Sequence, residues 1–164
     1  MGYLSMFRRT ANTGTVWSDM ATQTETDPTP AQGRVLRIAH ITRAMVRADP
    51  DTLYVFGDNM GRRGSGGQAK EMRGEPNAVG VPTKWAPYSR PDAYFTDADR
   101  LNRDVWHAIR GAFVQMRGAL GAGQNVVIPA DGIGTGLAQL PTRAPRMHAM
   151  IEAAIASLEP LKTG

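Results

Sequence analysis

Unbroken apolar runs alternate with stretches of helical period along this chain. Residues 35–41 read as a strand, and Thr42 as the cap of a short helix that Pro50 stops near Asp49. Leu53-Tyr54-Val55-Phe56 is apolar at every position, as in a strand covered on both faces, and breaks at Gly57 into Asp58-Asn59. Residues 68–73 read as a short helix ended by Gly74, and 79–81 as a buried strand running into Pro82-Thr83-Lys84. A segment rich in proline and aromatics over 85–96 follows. Thr96 or Asp97 then caps a long helix to about Gly121, with Leu101, Val105, Ile109, Phe113, Met116 and Leu120 on one stripe. Asn125-Val126-Val127-Ile128 reads as a third buried strand. A last helix starts between Pro141 and Pro145 and turns Met147, Met150, Ile151, Ala154, Ile155 and Leu158 inward. Strands alternating with helices predict a three-layer α/β/α sandwich.

The first 33 residues break this pattern. They are rich in Thr, Ser, Asn, Gln and Pro, their apolar residues have no period, and Asp27-Pro28-Thr29-Pro30 has the composition of a linker. The sequence therefore divides into a polar arm over 1–33, disordered alone or bound to a protein partner, and one α/β domain over 34–164. Tyr3, Leu4, Met6, Phe7 and Trp17 would anchor the arm on such a partner.

Composition narrows the setting. The chain has 164 residues, enough for one domain with a substantial core. It has no cysteine, which removes disulfides and thiolate metal sites and fits a reducing compartment. No apolar run reaches membrane-spanning length, so no membrane partner is expected and the expected location is the cytoplasm or a larger assembly. Of the net charge of +4, the arm contributes −1 and the remainder +5, which favours an anionic ligand. Arginine supplies most of the basic residues, as in any GC-rich genome, and no aromatic–basic motif accompanies it, so nucleic acid is not the expected partner.

The candidate chemistry lies at the strand ends, where open α/β sheets bind ligands. Two of the three loops there are rich in glycine. The first holds Gly61, Gly64, Gly66 and Gly67 before Gln68; the second runs Asp131-Gly132-Ile133-Gly134-Thr135-Gly136-Leu137. Glycine permits left-handed backbone and close approach, so each loop can turn N–H groups toward a phosphate, and two facing loops suit a diphosphate. Valine at Gly66 or Gly134 should then abolish binding by filling that space while leaving the fold intact. Gly57, Asp58 and Asn59 end one strand, where the two polar side chains can meet ribose hydroxyls. Lys84 ends the next as a cation, base or nucleophile. Trp85, Tyr88, Tyr94 and Phe95 either stack on a base or cover the sheet edge. His107 and His148 lack neighbours at metal-ligand spacing, and neither metal nor cofactor is expected.

Taken in order, these motifs resemble the macrodomain family, the ADP-ribose-binding module, over residues 34–158. Phe56-Gly57-Asp58-Asn59 is similar to its Asn-rich segment beside the distal ribose, and Gly64-Ser65-Gly66-Gly67-Gln68-Ala69 to its glycine loop entering a helix. Ile128 to Leu137 resembles its second phosphate loop. The likeness is greatest to the terminal ADP-ribose glycohydrolase type, in which a lysine at a strand end attacks the anomeric carbon; Thr83-Lys84 matches it. The resemblance implies a macrodomain-like fold and binding of ADP-ribose or a related nucleotide, with hydrolysis of an ADP-ribosyl linkage as the associated activity. It assigns Lys84 to catalysis, and Asp58 and Asp131 are the carboxylates left to act as its base. It assigns His40, Gly57, Asn59, Gly64, Gly66, Gly67, Gln68 and the loop Gly132, Ile133, Gly134, Thr135, Gly136 and Leu137 to the ligand. The chain departs from the family twice: Ala138 stands where the partner aspartate is expected, and Ala39-His40-Ile41-Thr42 where an aspartate reads adenine. A structural protein tethered to an assembly by its arm is the alternative reading.

Overall fold

A computed structural model describes residues 32–159, so nearly all of the predicted arm lies outside the described residues. Four strands, β1 (Val35–Ile38), β2 (Leu53–Asn59), β3 (Ala78–Lys84) and β4 (Val126–Pro129), form one parallel sheet in the order β1-β4-β2-β3. Helices α1 (Arg43–Ala48) and α2 (Ala69–Met72) connect the first three strands, and α3 (Arg103–Gly121) returns the chain from β3 to β4. The end of the domain is α4 (Leu140–Arg143) and α5 (Pro145–Ala156).

Alternation along the strands sorts the core into two layers. Tyr54, Phe56 and Val127 face α1 and α2, where they pack with Ile41, Val46, Ala69 and Met72. Val55, Val79, Val81, Val126 and Ile128 face the other way onto α3 and α5, against Ile109, Phe113, Met116, Met147 and Ile151. The sheet is thus covered on both sides, which explains its continuous apolar runs. Each large side chain buried in this way contributes about 1.5–3 kcal/mol. The architecture is an α/β/α sandwich.

Several elements differ from their predicted extents for local reasons. Strand β1 ends at Ile38, three residues early, and leaves 39–42 to line the sheet's carboxyl edge. The helix expected from Thr96 divides. Thr96 and Asp99 form a reciprocal capping box that closes a 3-10 turn over Asp97–Leu101, and Asn102 then caps α3 by accepting from the N–H groups of Asp104 and Val105 at 3.0 and 3.2 Å. Leu101 consequently stays 78% exposed instead of joining the stripe. Asp97 is drawn elsewhere: its Oδ1 accepts from the N–H groups of Arg146 and Met147, capping α5. The final helix also divides, at Ala144, because Pro145 disfavours a helical residue before it. Met147, Ile151, Ile155 and Leu158 are buried, with Met150 and Ala154 packed partly against them.

Strand β3 runs through Pro82 to Lys84, further than its apolar stretch suggests. At the edge of the sheet Pro82 needs no ladder donor on its outer side. The β2–β3 register slips here, Asp58 pairing with Pro82 but Asn59 with Lys84. Thr83 is the extra residue, and its hydroxyl donates to the Asp58 carbonyl at 3.0 Å. Such a bulge re-aims the side chain that follows, which here is Lys84.

Candidate functional site

A cleft of about 620 Å³ opens beyond the carboxyl ends of β1, β2, β3 and β4. That volume lies within the usual range for small-molecule sites. Every residue assigned above to catalysis or to the ligand lines it except Ile133, whose side chain is buried in the core beneath the second loop. The two glycine loops stand side by side at the same end of the sheet. Leu137 reaches from the second to the first: a Cβ placed on Gly66 would lie 2.9 Å from its Cδ1, and one on Gly67 3.6 Å. Leu137 is 63% exposed although apolar, so it spans the mouth of the cleft rather than filling the core.

Both loops leave their donors free. In the first, the Gly66 carbonyl accepts from Ala69 N–H, the Arg63 carbonyl from Asn59 Nδ2 at 2.7 Å, and the Gly64 carbonyl from Arg73 Nε at 2.8 Å. In the second, the Gly134 carbonyl accepts from Leu140 N–H and the Gly136 carbonyl from Gln139 N–H. Among the described residues, no backbone carbonyl accepts from the N–H groups of Gly64 through Gln68 or of Ile133 through Ala138. Gly64, Gly67, Gly132 and Gly134 all have φ between 56° and 90°, conformations that other residues adopt only with strain. Runs of unmatched N–H groups with carbonyls consumed behind them are the chemistry of an anion cradle.

The charged candidates have different surroundings. The Asp58 carboxylate is buried and occupied: Arg73 meets both its oxygens, at 2.5 and 3.2 Å, Arg62 meets Oδ2 at 3.2 Å, and the Asn59 N–H donates to Oδ1 at 2.7 Å. It is an anchor for arginines, not a free base. Lys84 is buried as well. Its Nζ donates to the Tyr88 carbonyl at 2.8 Å and lies 4.3 Å from the centroid of the Tyr94 ring, which also carries the Arg143 guanidinium at 3.8 Å. Asp131 lines the cleft as an exposed carboxylate, and His40 lines it beside Thr42 and Lys70. Ala138, where the resemblance expects an aspartate, is buried and apolar.

The chain belongs to a family of unknown function. The family model, described as "Family of unknown function (DUF7831)", matches residues 36–154, which include all four strands almost entirely and both glycine loops. Comparison with curated proteins and with solved structures finds no match. Among the described residues no cluster of three or more His, Asp and Glu side chains is spaced to hold a metal ion, and no helix is long and apolar enough to cross a membrane.

Other residues of the site are not evident from sequence motifs. Arg62 and Arg73, the partners of Asp58, were indistinguishable from ordinary surface arginines; the available signal was a lone acid in an apolar strand with Arg62, Arg63 and Arg73 soon after it. None of the four aromatic side chains of the segment 85–96 lines the cleft, although Pro87 and Ser89 among them do. Tyr94 pairs with Lys84 in an antiparallel bridge, and Phe95 packs edge-on to Trp85 at 5.2 Å. A second arginine pair braces the base of the first loop. Arg43 and Arg47 on α1 both hold Glu75, just past α2, and their hydrogen bonds, Arg47's foremost, keep its carboxyl below the ordinary carboxylate value.

Proposed function

We propose that the cleft binds ADP-ribose or a related nucleotide diphosphate on a macrodomain-like body. The observation that carries this reading is the pair of adjacent loops, each with two or three of its carbonyls occupied and a run of N–H groups left without a backbone acceptor. One loop accounts for one phosphate, and two at hydrophobic contact through Leu137 account for two linked ones. The flanking ends of the cleft supply what the remainder of such a ligand needs. His40 and Thr42 stand on one side, and Thr83, Lys84 and Ser89 on the other.

Hydrolysis has weaker support than binding. Attack by Lys84 on an anomeric carbon needs a neighbouring carboxylate to move protons. Asp58 is taken up by two arginines and Ala138 provides none, so Asp131 is the remaining candidate of the two carboxylates named from the sequence. Lys84, held by a carbonyl and an aromatic face, is placed to steady the distal ribose or a phosphate. Titration calorimetry with ADP-ribose, ADP and ribose 5-phosphate tests the binding reading. ADP-ribose and ADP should bind and the monophosphate should bind much more weakly; an absence of heat with all three would refute it.

A further inference from the structure

The two glycine loops reach the same arrangement by different means. In the second, the hydrogen bonds to the Gly134 and Gly136 carbonyls come from the main chain, from Leu140 and Gln139. In the first, two neighbouring carbonyls are drawn away by side chains, Arg63 O by Asn59 Nδ2 and Gly64 O by Arg73 Nε. Arg73 is itself fixed by its fork onto Asp58, whose side chain is 3% exposed, and by the Phe56 ring 5.7 Å beneath its guanidinium. Arg62 adds a second clasp. Its Nη1 joins Asp58 Oδ2 to the Gly80 carbonyl at 3.2 and 2.7 Å, from a residue held at φ 52°, outside the usual range for a side chain of this size.

We propose that Asn59 and Arg73 are positioning residues that turn the first glycine loop into an anion receptor, with Asp58 as their buried anchor rather than a ligand group or base. The proposal rests on the reading of the cleft as a diphosphate site. Its physical content is twofold. Pulling the Arg63 and Gly64 carbonyls back onto β2 and the end of α2 turns the N–H groups of the same two peptide units, those of Gly64 and Ser65, the opposite way, toward the cleft. The guanidinium pair also neutralises a carboxylate that would otherwise face an incoming anion across a low-dielectric floor. Charge alone does not supply the first effect: a lysine at 73 would keep the charge but lose the fork that spans Asp58 and Gly64 O at once.

The test compares wild type with Arg73→Gln, Arg73→Lys and the double variant Asp58→Asn/Arg73→Gln. The double variant removes the buried charge that could unfold the single one. ADP-ribose affinity is measured by calorimetry and backbone order by NMR relaxation on the unliganded proteins. Affinity should fall about tenfold or more in all three variants, the loss expected for a charge-assisted hydrogen bond. Order parameters at residues 64–68 should fall while residues 133–138 keep their wild-type values. Rescue to within about twofold by Arg73→Lys would overturn the positioning role in favour of plain charge. Unchanged order at 64–68 would overturn it outright. If wild type binds neither ADP-ribose nor inorganic pyrophosphate, the receptor role falls with the diphosphate reading, whereas normal wild-type binding retained in the variants sinks this inference alone.

Discussion

Gly134 and Gly66 look alike in sequence, yet the structure assigns them opposite sensitivities. At Gly134, φ is +83°, and an added Cβ would lie 2.5 Å from Leu140 Cδ1, 2.9 Å from Leu140 Cγ and 3.1 Å from Thr83 Cγ2. Leu140 is fully buried, so its side chain has nowhere to retreat. Alanine there carries about 1–2 kcal/mol of left-handed backbone strain and about 1–3 kcal/mol of overpacking. The sum, about 2–5 kcal/mol, lowers the melting temperature by roughly 4–20 °C in a domain of this size. At Gly66 the backbone is unstrained and the contact inside 3.0 Å is the tip of the exposed Leu137. Gly66→Ala should therefore change stability by no more than about 0.5 kcal/mol, while narrowing the gap between the loops and weakening ADP-ribose at least about tenfold. Urea denaturation followed by circular dichroism, with calorimetry on the folded variants, measures both. Gly134→Ala as stable as wild type would refute the packing argument. Gly66→Ala with normal stability and normal affinity would refute the placement of the ligand between the loops. Gly66 is thus the cleaner probe of binding, and the contacts at Gly134 argue against the expectation that either glycine can be filled without harm to the fold.

Three further outcomes are expected. Lys84→Ala should weaken ADP-ribose by roughly 3–30-fold, and wild type should release little ADP-ribose from modified protein and yield no borohydride-trapped lysine adduct; robust turnover lost in Lys84→Ala, with an adduct at Lys84, would establish the enzyme instead. Glu75 is held below its ordinary value of 4.5 by Arg47 and Arg43, so its contribution is complete above pH 4.5 and lost as pH falls through its lower folded value. Glu75→Gln should accordingly destabilise the protein at pH 7 and progressively less below pH 4.5, and a stability difference from wild type that persists undiminished at pH 2 would contradict the ion pair. Asn77 Nδ2 donates to the carbonyls of Val46, Asp49 and Thr52, so Asn77→Ala should cost about 1–3 kcal/mol by leaving the end of α1 unsatisfied; thermal melts that coincide with wild type would show that water replaces it.

Much of the fold was legible in the chain because the relevant signals are local. Buried parallel strands need apolar residues on both faces, so β2 and β4 stand out as continuous runs, and Thr42 and Pro50 bracket α1 by rules that act within a few residues. The placement of glycine loops after strands followed from the same reasoning. Competition between local signals was harder to see. Thr96, Asp97 and Asn102 are all good caps, and Asp97 is withdrawn to α5 by a contact 49 residues away. That withdrawal separates the 3-10 turn from α3 and leaves Leu101 outside the core.

The sequence by itself determined the alternating layers, the cleft's two glycine loops and the polar residues at the strand ends. Tertiary structure alone decided what those polar residues do. Asp58 and Lys84 read as a base and a nucleophile so long as their neighbours are unknown. Their partners lie 15 residues along for Arg73 on Asp58, and in the chain's return across β3 for Tyr88 and Tyr94 on Lys84. A side chain's chemistry depends on which groups share its low-dielectric surroundings, and that is set by sheet order and by the one-residue slip at Thr83. Periodicity carries the faces of helices and strands but no information about which distant cation arrives at a buried acid.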